Sequence, residues 1–74
     1  MNKAAIFFVG IGGIGMSGVA QYFLSKGHPV AGYDRMITPI TQRLVTLGAQ
    51  IIDVDVPTAI PALFRDPKNT KVVY

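Results

Sequence analysis

The sequence predicts an α/β fold of the Rossmann-like kind: a three-layer αβα arrangement around a parallel sheet, with about four strands present. Three observations carry this. A short apolar run, Ala4 to Val9, leads directly into the glycine string GIGGIG at 10–15. Two later stretches carry apolar residues at helical spacing, and each is closed by a glycine. Short strand-like runs alternate with these helical stretches, which implies parallel strands joined by right-handed crossovers.

The first strand, Ala4 to Val9 (AAIFFV), is continuously apolar with aromatic and β-branched residues, as expected of a strand buried on both faces. The first helix spans Gly12 to Lys26, where Met16, Val19, Ala20, Phe23 and Leu24 form one apolar stripe. Gly27 stands where a C′ glycine belongs, after Lys26 in the last turn. Pro29 to Tyr33 reads as a second strand, its proline tolerable as the first residue. The second helix opens on Thr38 as N-cap with Pro39 at the first helical position. Ile40, Leu44 and Leu47 are its expected buried face, and Gly48 its end. Ala49 to Ile52 is a third strand. Prolines at 57, 61 and 67 interrupt residues 53–69, leaving room for one short helix near Ile60 to Phe64. Lys71 to Tyr74 is a fourth strand.

Seventy-four residues make at most one small domain, with no cysteine for a disulfide and one histidine. A chain this short buries roughly 60% of its unfolded surface. Against that, half of the residues are hydrophobic and only 15% charged. The expected setting is therefore part of a larger protein that covers some of this apolar surface. The seven basic residues are scattered and the net charge is +3, so no nucleic-acid face is indicated. Met1-Asn2-Lys3 with the apolar run after it also has the outline of a secretion signal. Five glycines within residues 7–18 oppose it, because each costs about 1 kcal/mol in a helix relative to alanine.

Gly10, Gly12 and Gly15 satisfy G-x-G-x-x-G after a strand and at the opening of a helix, the context that the fingerprint requires. In that pattern Gly10 permits the tight turn, Gly12 lets the backbone approach a diphosphate, and Gly15 lets the helix pack close to the strand. Free N–H groups at the helix start, with the positive end of its dipole, then hold the anion. Gly13 and Gly18 are glycines that a simple turn does not need. Asp34 ends the second strand, about 20 residues on, where an acidic side chain takes a ribose hydroxyl. The other reading of Asp34 is a solvated loop aspartate or turn-former before Arg35; Arg35 reads as an exposed side chain or a nucleotide contact, and Ser17 as a phosphate donor or a small packing residue. His28 reads as an exposed loop residue, Met16 and Met36 as packing, and Asp53 with Asp55 as a solvated turn lacking further metal ligands.

From Phe8 to Gly18, F-V-G-I-G-G-I-G-M-S-G resembles the opening of the Mur ligases, in the branch that joins L-alanine to UDP-N-acetylmuramate. The stretches KGHPVAGYDR (26–35), TPITQRLVTLGAQI (38–51) and KVVY (71–74) continue the likeness over most of the chain. The resemblance implies that residues 1–74 are the N-terminal, UDP-substrate-binding domain of a cytoplasmic, ATP-dependent ligase of peptidoglycan synthesis. By that likeness Gly10, Gly12, Gly13, Ile14, Gly15, Met16 and Ser17 cradle the UDP diphosphate, and Asp34 and Arg35 lie at the uridine. ATP and magnesium are implied as cofactors bound beyond Tyr74, as is the alanine site, so no catalytic or metal-binding residue is expected in this stretch. The implied partners are UDP-N-acetylmuramate and L-alanine, with neither nucleic acid nor membrane. One departure stands out: Ile52-Asp53-Val54-Asp55 occupies the place where members often carry a Gly-His pair. Two other readings share the generic fingerprint: an NAD(P)-binding module of an oxidoreductase or redox sensor, and an interaction domain with a vacant fold. The extra Gly13 and the trailing Met16-Ser17 are features that the generic fingerprint does not ask for.

Overall fold

A computed structural model describes residues 3–54 and 57–74. Its regular elements are β1 (Ala5–Val9), α1 (Ile14–Ser25), β2 (Val30–Tyr33), α2 (Pro39–Thr46), β3 (Gln50–Ile52) and β4 (Thr70–Val73). Asp55, half of the expected acidic turn, and Met1 and Asn2 lie outside the described residues.

The four strands form one parallel sheet in the order β3-β2-β1-β4. Successive side chains of a strand point to opposite faces, and β1 uses both. Ile6 and Phe8 join Ile11, Ala20, Val30, Leu44 and Ala49 in a core beneath the two helices. Ala5 and Phe7 pack with Ala31 and Phe64 on the other face. The Phe64 ring lies 6.3 Å from that of Phe7, tilted by 58°.

Both helix boundaries arise from local chemistry. Gly27 adopts φ +84° and Gly48 φ +114°, left-handed values that glycine accepts without strain. Thr38 and Thr41 form a reciprocal capping box at the start of α2, with Pro39 inside the first turn. The predicted N-cap and stops therefore stand.

Four expectations about packing need correction. Val19, Ile40 and Leu47 are exposed, at 41%, 39% and 45%. They fall on the flanks of their helices, whereas Ala20 in α1 and Thr41 with Leu44 in α2 occupy the centres of the buried faces. The helix expected near Ile60 to Phe64 is instead two 3₁₀ turns, Pro57–Ala59 and Ala62–Phe64. Pro61 separates them; it offers no N–H to continue an α-helical ladder and turns the preceding residue away from the α region. His28 is half-buried: its Nδ1–H donates to the Ala4 carbonyl at 2.8 Å, and its ring meets Phe23 edge-on. Met36 is 65% exposed and packs into no core.

The crowded glycine at this end of the sheet is also not the one expected to allow close packing. A Cβ on Gly15 would meet nothing within 4 Å. On Gly32 it would stand 2.7 Å from the Ile11 Cβ and 2.8 Å from the Phe8 carbonyl oxygen. Close packing at this end of the sheet therefore belongs to Gly32. In the longer protein, Gly32→Ala should lower stability by about 1–3 kcal/mol through overpacking. Gly15→Ala should be neutral or stabilising by up to about 1 kcal/mol. Urea unfolding of both variants checks this, and equal midpoints would contradict it.

Candidate functional site

The carboxyl ends of the strands gather the residues that the sequence singles out. α1 and α2 come after β1 and β2 onto one face, and the connection before β4 lies on the other. The chain thus reverses its winding at β1, and the loop Gly10–Gly13 sits at that switch point. Open parallel sheets bind ligands in this crevice.

Gly10 turns the chain with φ +77°. The N–H groups of Gly10 and Ile11 then both donate to the Tyr33 carbonyl, at 2.8 and 3.1 Å. Ile11 is wholly buried above Gly32, which holds the loop down on β2. The next amide, Gly12 N–H, donates to Asp34 Oδ2 at 2.7 Å, and Asp34 Oδ1 accepts from Met36 N–H at 2.9 Å. Gly13 N–H closes the turn on the Gly10 carbonyl at 3.0 Å.

Beyond that point the amides change role. Gly13 is the N-cap of α1 and contributes no side-chain cap, and the first turn carries no acidic residue. The first ladder bond runs from Ser17 N–H to the Gly13 carbonyl at 2.8 Å. Ile14, Gly15 and Met16 are therefore left with N–H groups that have no acceptor inside the helix. Both Ile14 and Gly15 are exposed, Ile14 at 90%. Three convergent donors at the positive end of a 12-residue helix suit an anion.

The remaining candidates are placed less uniformly. Ser17 is buried, and its hydroxyl donates to the Ile14 carbonyl at 3.1 Å; to reach a phosphate it has to leave that partner. Met16 is half-buried against the helix-side core, as expected for packing. Arg35 is exposed beside Asp34. Asp53 is exposed at the end of β3, and among the described residues no three His, Asp or Glu side chains cluster as metal ligands.

The sequence pattern did not reveal a cleft of about 350 Å³ that opens next to the loop, between α2 and the ends of β2 and β3. Met36, Ile37, Val45 and Ile51 supply apolar walls; Asp34, Gln42 and Asp53 supply polar edges. The available signal was the adjacent apolar pair Met36-Ile37 in the loop before Thr38; their exposure, at 65% and 75%, is what the structure adds.

Residues 5–74 match the family described as "Mur ligase family, catalytic domain". The chain belongs to the Mur ligase family. Among curated relatives, the chain is similar to a UDP-N-acetylmuramate–L-alanine ligase of Phocaeicola vulgatus, 47% identical over 95% of this chain and 15% of that protein. It is 46% identical to the Parabacteroides distasonis protein of the same name, over 100% of this chain and 16% of the relative. A Porphyromonas gingivalis relative, again of that name, is 44% identical over 93% of the chain and 15% of its own length. The chain thus spans about a sixth of the length of these Mur ligases. The family assignment sets aside the oxidoreductase reading of the glycine fingerprint.

The start of α2 borders both loop and cleft, so its cap bears on the site. Thr38→Ala removes the acceptor for Thr41 N–H. It should cost the longer protein about 1 kcal/mol, read as a lowered urea midpoint; an unchanged midpoint would show that the capping box contributes nothing.

Proposed function

We propose that this chain is the N-terminal, UDP-substrate-binding part of a cytoplasmic, ATP-dependent UDP-N-acetylmuramate–L-alanine ligase. The observation that carries the reading is the trio of unpaired amides on Ile14, Gly15 and Met16, opening a helix at the switch point of a parallel sheet in a Mur ligase chain. The names of the relatives support the substrate.

In this reading the UDP diphosphate lies over Gly13 to Met16, where the amides replace the hydration of its oxygens. The exposed Ile14 side chain is covered by the ligand or by the rest of the protein. Ser17 adds a hydroxyl if it turns from the Ile14 carbonyl. The uridine extends past Asp34 and Arg35 towards the cleft, whose apolar walls suit the faces of a flat ring and whose Gln42 amide can pair with its polar edge.

The described residues hold no donor cluster for magnesium, and the sequence has no G-x-x-x-x-G-K-[ST] loop for ATP. The task of this part is to bind and orient. It fixes the nucleotide end of the substrate so that the muramyl carboxylate is presented to residues elsewhere in the protein. ATP and magnesium, bound there, would supply the energy that joins this carboxylate to the alanine amine, with ADP and phosphate as the leaving products. The reaction belongs to the whole enzyme. Among the described residues no helix is long and apolar enough to cross a membrane.

Calorimetric titration of the full-length protein tests the proposal. UDP-N-acetylmuramate should bind and NAD should not; tighter binding of NAD would reverse the reading. Gly12→Val should abolish binding of the UDP substrate. A Cβ there already stands 2.7 Å from Asp34 Oδ2 and 2.8 Å from Thr41 Cγ2, so a branched side chain forces the loop off its seat. Unchanged affinity in Gly12→Val would mean that the loop is only a turn.

A further inference from the structure

We infer that Asp34 is a positioning residue for the anion site, acting through the glycine loop rather than as a direct ligand of the nucleotide. The inference deepens the proposed function and rests on the reading of that loop as a diphosphate site.

Asp34 comes directly after β2, and its carboxylate joins two loops that emerge from adjacent strands. One oxygen accepts from Gly12 N–H at 2.7 Å, the other from Met36 N–H at 2.9 Å. The loop has no slack around this contact. A Cβ on residue 12 would overlap both the carboxylate and the Thr41 methyl group, so the chain at Gly12 is wedged between Asp34 and the first turn of α2.

For an incoming anion this has two effects. The Gly12 amide, the one that the fingerprint offers to a diphosphate, is already engaged by a charge. Among the described residues only the amides of Ile14, Gly15 and Met16 are free at the loop and helix start, and they begin two residues after the clamped position. Fixing Gly12 therefore sets where those donors point before any ligand arrives, which removes an ordering cost from binding. The chemistry of the side chain fits this role. An ionised acceptor makes stronger bonds to N–H groups than a neutral one, and a carboxylate accepts at both oxygens. An asparagine can accept at only one; its NH₂ group would confront the other amide.

Two measurements on the full-length protein decide the matter, with Asp34→Ala and Asp34→Asn as variants. The first is amide hydrogen exchange in the absence of any ligand. The Gly12 and Met36 amides should be protected in the parent, both should lose protection in Asp34→Ala, and one should keep it in Asp34→Asn. Exchange at Gly12 that is unaltered by Asp34→Ala would overturn the inference. The second is calorimetric affinity for UDP, 2′-deoxy-UDP and 3′-deoxy-UDP. Asp34→Ala should weaken all three by the same factor, about tenfold or more, with Asp34→Asn in between. If the preference for UDP over a deoxy analogue disappears in Asp34→Ala, the carboxylate is a direct ribose ligand and the inference fails. Unchanged affinities for all three would also overturn it. Should Asp34→Ala fail to fold, Asp34→Asn carries both measurements, with one amide exposed and a smaller uniform loss expected. If the parent binds no UDP, the proposed function fails, and the exchange data alone decide whether the clamp exists.

Discussion

The site depends on the seating of Ile11 over Gly32, because that contact decides how closely the glycine loop can lie on the sheet. Ile11 is completely buried, and a single added carbon on Gly32 would overlap it. With the seat in place, Gly10 and Ile11 can both reach the Tyr33 carbonyl, and Gly12 can reach the Asp34 carboxylate. Three successive amides of the loop are thus fastened to the end of β2. The next helix-opening amides, on Ile14, Gly15 and Met16, are left free and already aimed. A buried apolar contact on one strand end is what turns a flexible glycine string into a directed set of donors.

The same arrangement divides labour among the glycines in a way that differs from the generic fingerprint. Gly10 supplies the left-handed turn, as the fingerprint says. Gly12 is small because the carboxylate of Asp34 and the methyl of Thr41 crowd it, whatever ligand comes later. Gly15, which the fingerprint assigns to helix–strand packing, has open space around its missing side chain. The crowded position is Gly32 on the neighbouring strand, which the loop residue Ile11 and the Phe8 carbonyl close in. At Gly15 a bare backbone leaves the approach to the helix start unobstructed, which suits a bulky anion.

Much of this was legible in the residues. The continuous apolar run of β1, the Thr38–Pro39 start of α2 and the glycine stops at 27 and 48 each have a local cause that needs no tertiary context. Their order along the chain then implies the parallel sheet. The faces of the helices were less legible, since periodicity marks a broad stripe and only packing shows its edges. Val19, Ile40 and Leu47 lie at those edges, while Thr41, polar by type, is buried because its hydroxyl is satisfied within the capping box. The prolines between 57 and 67 announced an irregular crossover, though not that two 3₁₀ turns would carry Phe64 onto Phe7.

By itself the sequence determined the four strands, the two helices and the family, because strand runs, caps and glycine spacing act over a few neighbouring residues. Only the tertiary structure decided which donors remain free, which glycine is crowded and what Asp34 does. Those outcomes depend on atoms from β1, β2 and α2 meeting at one point, residues 12, 34 and 41 among them. No local pattern encodes such a meeting; it arises from the pairing of β1 with β2 and the register that sets Phe8 beside Gly32.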